Sequence, residues 1–155
     1  MTIEGKIEMK YSLAITALFL AANTVYADER KPDAAERSNS RGVSVEQLSR
    51  GGTLFQKYCA ECHGANAEGA PNWSKRGPDG KYGPPPLNGT GHAWHHAKPV
   101  LVRTIKQGTL KIGGSMPPWG DKLSDDQIDD IIGWFISKWP EEIYEVWRKQ
   151  TGHRN

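Results

Sequence analysis

The 155-residue chain has only two cysteines, Cys59 and Cys62, so it cannot be a disulfide-dense scaffold, and no second Cys pair is present to complete a zinc site. Its longest apolar run falls short of the ~20 residues that a membrane-spanning helix needs. A net charge of +2, with no basic stripe, leaves no electrostatic footprint for a nucleic-acid partner. Strand-like alternation is almost missing, which removes the strand–helix context that a thioredoxin-type use of two close cysteines requires. Hydrophobic residues make up 37%, against 17 Gly and 10 Pro, so the chain is rich in loop and poor in side chains for a large core. One domain is expected from the length, with a prosthetic group supplying what the core lacks.

At the N-terminus, Lys6 and Lys10 precede the apolar run Leu13 to Ala22, and Val25-Tyr26-Ala27 gives an imperfect small-x-small pattern. These features predict a secretory signal peptide over 1–27, cleaved after Ala27. Glu4 and Glu8 are unusual in such a segment, Met9 would make a cleaner start, and the alternative reading is a retained membrane anchor. Cleavage predicts an exported, periplasmic chain with no stable membrane insertion. Residues 28–43 are polar and without apolar period, which predicts a flexible leader. The domain is then expected over 44–139, with a C-terminal helical extension over 140–155.

Within that domain the stretch Cys59-Ala60-Glu61-Cys62-His63 has the spacing of a c-type haem attachment site. Two thiols on one helical turn can each add to a haem vinyl group, and the adjacent histidine can ligate iron. A helix is expected to lead into it, capped by Ser44 with Gln47 completing a capping box, and carrying Val45, Leu48, Leu54, Phe55 and Tyr58. Gly51 and Gly52 interrupt that helix, each at a cost of up to ~1 kcal/mol, which implies that another backbone approaches there. Residues 64–91 hold Pro71, Pro78, Pro84, Pro85 and Pro86 and show no period, so they predict a long loop that makes sense wrapped over a haem edge. Pro85-Pro86 could instead be a stiff polyproline linker.

His92, His95 and His96 offer imidazoles suited to copper or zinc, but no carboxylate or Cys completes a set. They are read as polar residues at a helix entrance, with a second metal site or an alternative iron ligand as the other reading. Pro99 starts a helix bearing Val100, Leu101, Thr104 and Ile105, and Gly108 ends it. Met116 is the one methionine outside the signal segment, in a loop between Gly113-Gly114 and Pro117. Ser124 and Gln127 form a second capping box, followed by the stripe Ile128, Ile131, Ile132, Phe135 and Ile136, widened by Trp134 and Trp139. Pro140 stops that helix and opens another with Ile143, Tyr144 and Trp147 on one side, ended by Gly152.

Four of these motifs, in order over about 44–138, resemble class I c-type cytochromes. They are Gly51/Phe55/Cys59, Pro85-Pro86-Leu87, Met116-Pro117-Pro118-Trp119 and Asp130-Ile131-Ile132-Gly133-Trp134-Phe135. The resemblance implies an all-α fold, a small cytochrome c-like helical domain wrapped around one covalent haem c, here with an extra C-terminal helix. It implies that Cys59 and Cys62 anchor the haem, that His63 and Met116 are the metal ligands, that the Pro85 carbonyl accepts a hydrogen bond from His63, and that Leu87 packs on the porphyrin. Gly51 and Phe55 would cross the last helix near Ile131 and Trp134. The function implied is that of a periplasmic electron carrier with no catalytic residue, meeting redox partner proteins transiently, with Lys57, Lys75, Arg76 and Lys81 as a charge guide. The alternatives are a haem-containing subunit of a periplasmic oxidoreductase or peroxidase-like enzyme, and a metal-binding or redox-sensing module built on the histidines. The last helix departs from the family pattern and either packs back on the domain or presents Trp147 and Arg148 to a partner.

Overall fold

Among the described residues there are five α-helices, all but the short α2 on apolar periods of about 3.6 residues: α1 (Val45–Tyr58), α2 (Ala60–His63), α3 (Lys98–Gln107), α4 (Asp125–Ser137) and α5 (Glu141–Thr151). Short 3-10 turns at Ala93–His95 and Leu110–Ile112 punctuate the loops. The structure is a computed structural model that describes residues 38–152, so the signal segment and most of the leader lie outside the described residues. Among those residues there is no strand, only the isolated bridges Ser38–Ser44 and Arg76–Tyr82. The fold is all-α, as the resemblance implies, and no described helix is long and apolar enough to cross a membrane.

The principal packing is α1 across α4. Phe55 and Ile128 are fully buried and Ile131 and Ile132 are 1% exposed, each such side chain stabilising by ~1.5–3 kcal/mol. At the crossing there is no room for a side chain on α1: a Cβ at Gly51 would overlap the Asp130 carbonyl oxygen and lie 2.9 Å from Trp134 Cβ. One helical turn on, Phe55 packs against the Trp134 ring with centroids 4.5 Å apart. Beside the crossing, the Arg50 guanidinium holds the buried Asp130 carboxylate through two bonds, Nε to Oδ2 at 2.7 Å and Nη2 to Oδ1 at 3.0 Å. A bidentate fork of this kind fixes rotation of one helix about the other as well as distance.

The two helix starts differ. At α4 the capping box is complete: Gln127 N–H donates to Ser124 Oγ and Ser124 N–H donates to Gln127 Oε1. At α1 only half of the expected box forms. Gln47 N–H donates to Ser44 Oγ at 3.0 Å, but the Gln47 side-chain amide is drawn across to α4, where it donates to the Asp129 carbonyl at 3.4 Å. Helix packing outcompetes the local cap there.

Residues 38–43, assigned from sequence to a flexible leader, form a turn in which Asn39 N–H donates to the Val43 carbonyl. Arg41 ties that turn to the far end of the domain. Its guanidinium donates to the Ile136 carbonyl and, at 2.6 Å, to the Trp139 carbonyl, pairs with Glu141 and lies 4.5 Å from the Tyr144 ring centroid. A cation on the last carbonyls of α4 satisfies their lone pairs and the helix dipole together. Helix α5 packs back on the domain. Trp147 is 3% exposed, stands edge-on to Trp139 at 5.5 Å and donates its indole N–H to the His96 carbonyl at 2.8 Å.

The crossing generates a paired prediction. Gly51→Ala is expected to destabilise the haem-loaded protein by ~2–3 kcal/mol, because its methyl meets backbone, which cannot step aside. Gly52→Ala should cost less, because the obstacle at 2.8 Å is the Trp134 indole edge. Denaturant unfolding followed by haem absorbance measures both, and equal losses would contradict the account.

Candidate haem site

The site begins where α1 runs out. Cys59 leaves helical geometry at φ −122° while its N–H still donates to the Phe55 carbonyl, and the chain restarts as the four-residue α2. Both Cys62 N–H and His63 N–H donate to the Cys59 carbonyl, at 3.2 and 2.9 Å, so the two thiols and the imidazole lie within one compact turn. Both cysteines are free thiols, Cys59 half-buried and Cys62 exposed. Burial, reinforced by the neighbouring Cys62, pushes the Cys59 thiol up to about 11, so it is protonated at neutral pH.

His63 is 8% exposed, and its Nδ1 lies 2.8 Å from the Pro85 carbonyl oxygen. A carbonyl only accepts, so Nδ1 carries the proton and Nε2 carries the lone pair. Burial, opposed by the Pro85 bond, lowers the His63 pKa, which favours the neutral ring and leaves the Nε2 lone pair free for a metal. The donor set therefore fits a haem c: two free thiols for the vinyl groups and one oriented imidazole nitrogen for iron.

What brings Pro85 to His63 is a set of loop contacts that no sequence period announces. Leu87 N–H and Asn88 N–H donate to the carbonyl of buried Ala67, at 2.8 and 3.1 Å, and Gly69 N–H donates to the His63 carbonyl at 2.7 Å. Gly69 has φ +75°, and a Cβ there would overlap Pro86 N and lie 2.7 Å from the Pro85 carbonyl carbon. Its glycine identity is the one local signal that could have flagged the contact.

Met116 is half-buried at the margin of the core, together with Leu87, Trp94 and Trp119. Its loop is pinned to the end of α3. Thr109 N–H donates to the Met116 carbonyl at 2.9 Å, Met116 N–H donates to Thr109 Oγ1 at 3.1 Å, and Trp119 N–H donates to the Ile105 carbonyl at 3.0 Å. Trp119 also meets Tyr58 of α1 edge-on at 5.5 Å. Thr109 is a residue that sequence reasoning missed, since a lone threonine after a helix-ending glycine carries no pattern.

The histidine cluster is held by aromatic contacts. His95 stacks on Trp94 at 3.7 Å, His92 stacks on Trp73 at 5.6 Å, and His92 and His96 meet edge-on at 5.8 Å. Burial and then the adjacent His96 and His95 lower the His92 pKa. Among the described residues no group of three or more His, Cys, Asp or Glu could hold a metal ion.

Comparison with known proteins gives one family and several relatives. Residues 46–135, from the first turn of α1 to Phe135 of α4, match the family described as cytochrome C oxidase, cbb3-type, subunit III. The chain is 32% identical over 93 residues to the cbb3-type cytochrome c oxidase subunit CcoP of Azospirillum sp. (strain B510), which is 60% of this chain and 29% of that protein. The CcoP subunit of Azospirillum brasilense is 31% identical over 93 residues, with the same shares of each chain. The cbb3-type cytochrome c oxidase subunit FixP of Sinorhizobium medicae (strain WSM419) is 28% identical over 96 residues, 58% of this chain and 29% of that protein. The match thus spans about three tenths of the length of these relatives. No solved structure gives a significant match.

Gly69→Ala is expected to destabilise the haem-loaded protein by ~1–3 kcal/mol or more, since the added methyl is both overpacked and forced to positive φ. Thermal unfolding gives the loss. A shifted resonance for the His63 Nδ1 proton should accompany it, and an unchanged resonance would contradict the role assigned to the loop.

Proposed function

The chain belongs to the cytochrome c oxidase, cbb3-type, subunit III family, and on that premise we propose that it passes single electrons through one covalent haem c as a subunit of an oxidase-type complex. Cys59 and Cys62 would hold the haem through their sulfurs, and His63 Nε2 and the Met116 sulfur would be the protein's ligands to its iron. When bound, the group supplies a one-electron ferric–ferrous couple, and a thioether opposite histidine favours the ferrous form. The Pro85 carbonyl orients the His63 ring, and Thr109 fixes the backbone on both sides of Met116. Leu87, partly buried against the core, would shield the group from water. With His63 and Met116 both given to iron, the group would serve to carry electrons and not to convert a substrate.

The observation that carries this reading is the turn Cys59–His63, with both thiols free and the imidazole oriented by Pro85, inside the stretch that the family matches. A freely diffusing carrier is the simplest expectation from the motifs. The subunit reading is preferred because the relatives are themselves oxidase subunits. The carrier is kept as a second reading because the match reaches only 29% of each of those proteins. The partner is a redox protein, met on a surface where Lys57 and Arg76 lie over the rings of Tyr58 and Tyr82 at 4.9 and 4.7 Å. The signal-like N-terminus supports a periplasmic site of action.

Two measurements test the proposal. Met116→Ala is expected to keep covalent haem, lose the weak far-red sulfur–iron absorption and lower the midpoint potential. An unchanged spectrum would remove Met116 as a ligand. Affinity purification of the tagged chain from detergent-solubilised membranes of its host should recover it with oxidase activity. Recovery of all the haem in the soluble fraction as a monomer would favour the carrier.

A further inference from the structure

We propose that Trp139 is a positioning residue for His63, setting through the Pro85–Leu87 segment how much electron density the imidazole offers to iron; this rests on the haem reading above. Trp139 is 2% exposed, and its indole N–H donates to the Leu87 carbonyl at 2.7 Å. Two residues back along the same segment, the Pro85 carbonyl accepts from His63 Nδ1 at 2.8 Å. The link between those two carbonyls is restricted, because the Pro86 ring fixes its φ at about −65° and holds the preceding Pro85 in an extended ψ. The other face of the segment is held by Leu87 N–H donating to the Ala67 carbonyl at 2.8 Å. Ala70 N–H donates to the Pro84 carbonyl at 2.9 Å and holds the start of the segment, and Trp139 supplies the side-chain anchor at its far end, on the Leu87 carbonyl.

Trp139 can do this only if it is itself immobile, and it is fixed from three directions. Its carbonyl accepts from Arg41 Nη2 at 2.6 Å, and its ring packs on Phe135 at 6.3 Å and edge-on against Trp147 at 5.5 Å. Two of the residues that hold it, Arg41 and Trp147, lie outside the stretch matched by the family, as does Trp139 itself. On this account α5 and the 38–43 turn serve the iron site at a distance, which gives the C-terminal extension a role that burial alone does not.

The direction of the effect follows from the hydrogen bond. A firmly placed Pro85 carbonyl draws the Nδ1 proton, makes the ring more imidazolate-like and favours ferric iron. Trp139→Phe keeps most of the ring volume but removes the indole N–H, leaving the Leu87 carbonyl without its donor. The segment then drifts, the bond to His63 weakens and the midpoint potential rises.

The experiment compares Trp139→Phe with Trp147→Phe, each as haem-loaded full-length protein. Trp147→Phe loses an equivalent buried indole bond, to the His96 carbonyl, and serves as the stability control. The expected result is a raised potential and faster deuterium exchange at His63 Nδ1 in Trp139→Phe, with a clearly smaller change in both values in Trp147→Phe, which reaches the segment only through its ring contact with Trp139. Potentials that stay at the wild-type value in both variants, or shift equally in both, would overturn the proposal. If Trp139→Phe does not accumulate, exchange in the wild-type protein decides: the Trp139 indole proton and the His63 Nδ1 proton should be released together as denaturant is added, and independent release overturns the proposal. Failure of the haem reading is a separate outcome, since it appears as protein whose Cys59–Cys62 peptide carries no haem mass.

Discussion

Where α1 crosses α4, a methyl group on Gly51 would overlap the Asp130 carbonyl, and backbone packs directly on backbone. The position of every later element depends on that approach. It sets the height at which Phe55 meets Trp134, and one turn further it sets where α1 ends and the Cys59–His63 turn begins. The Arg50–Asp130 fork keeps the two helices from rotating about the contact. With the turn placed, His63 faces a loop whose only fixed requirement is to deliver the Pro85 carbonyl to Nδ1.

The loops are ordered without regular structure. Residues 64–92 and 113–124 contain no regular helix, and their order comes from specific backbone bonds: Leu87 and Asn88 to Ala67, Gly69 to His63, Thr109 to Met116. Each bond satisfies a polar group that would otherwise be buried without a partner, and among the described residues no buried side-chain polar atom is left without one. The same logic explains the crowding of indoles at the C-terminal end. Trp139 and Trp147 bring large apolar surfaces to a small core, and each spends its one N–H on a loop carbonyl.

Helix content was legible in the sequence because it rests on periodicity, and a close approach at Gly51 and Gly52 because paired glycines inside a helix usually mark one; that the last helix makes the approach was what the resemblance implied. The Ser124 capping box was legible for the same reason, as both partners lie within four residues. Gln47 was misjudged because its amide had a distant competitor in the Asp129 carbonyl, which local reasoning cannot see. The 38–43 turn was misjudged because its order depends on Arg41 reaching carbonyls at Ile136 and Trp139. At the site, the Cys59–His63 spacing and the isolated Met116 stood out as residue types in unusual company. Gly69 and Thr109 did not, since what they contribute is a backbone angle and a single hydroxyl whose partner lies seven residues on.

The account turns on whether this chain holds one haem through its paired thiols. Intact-mass measurement of the protein matured in a host that attaches haem c, followed by digestion, tests that claim most directly. The result predicted is the added mass of a single haem, carried by the peptide containing both Cys59 and Cys62. A peptide without that mass, or one with Cys59 and Cys62 joined as a disulfide, would contradict the account.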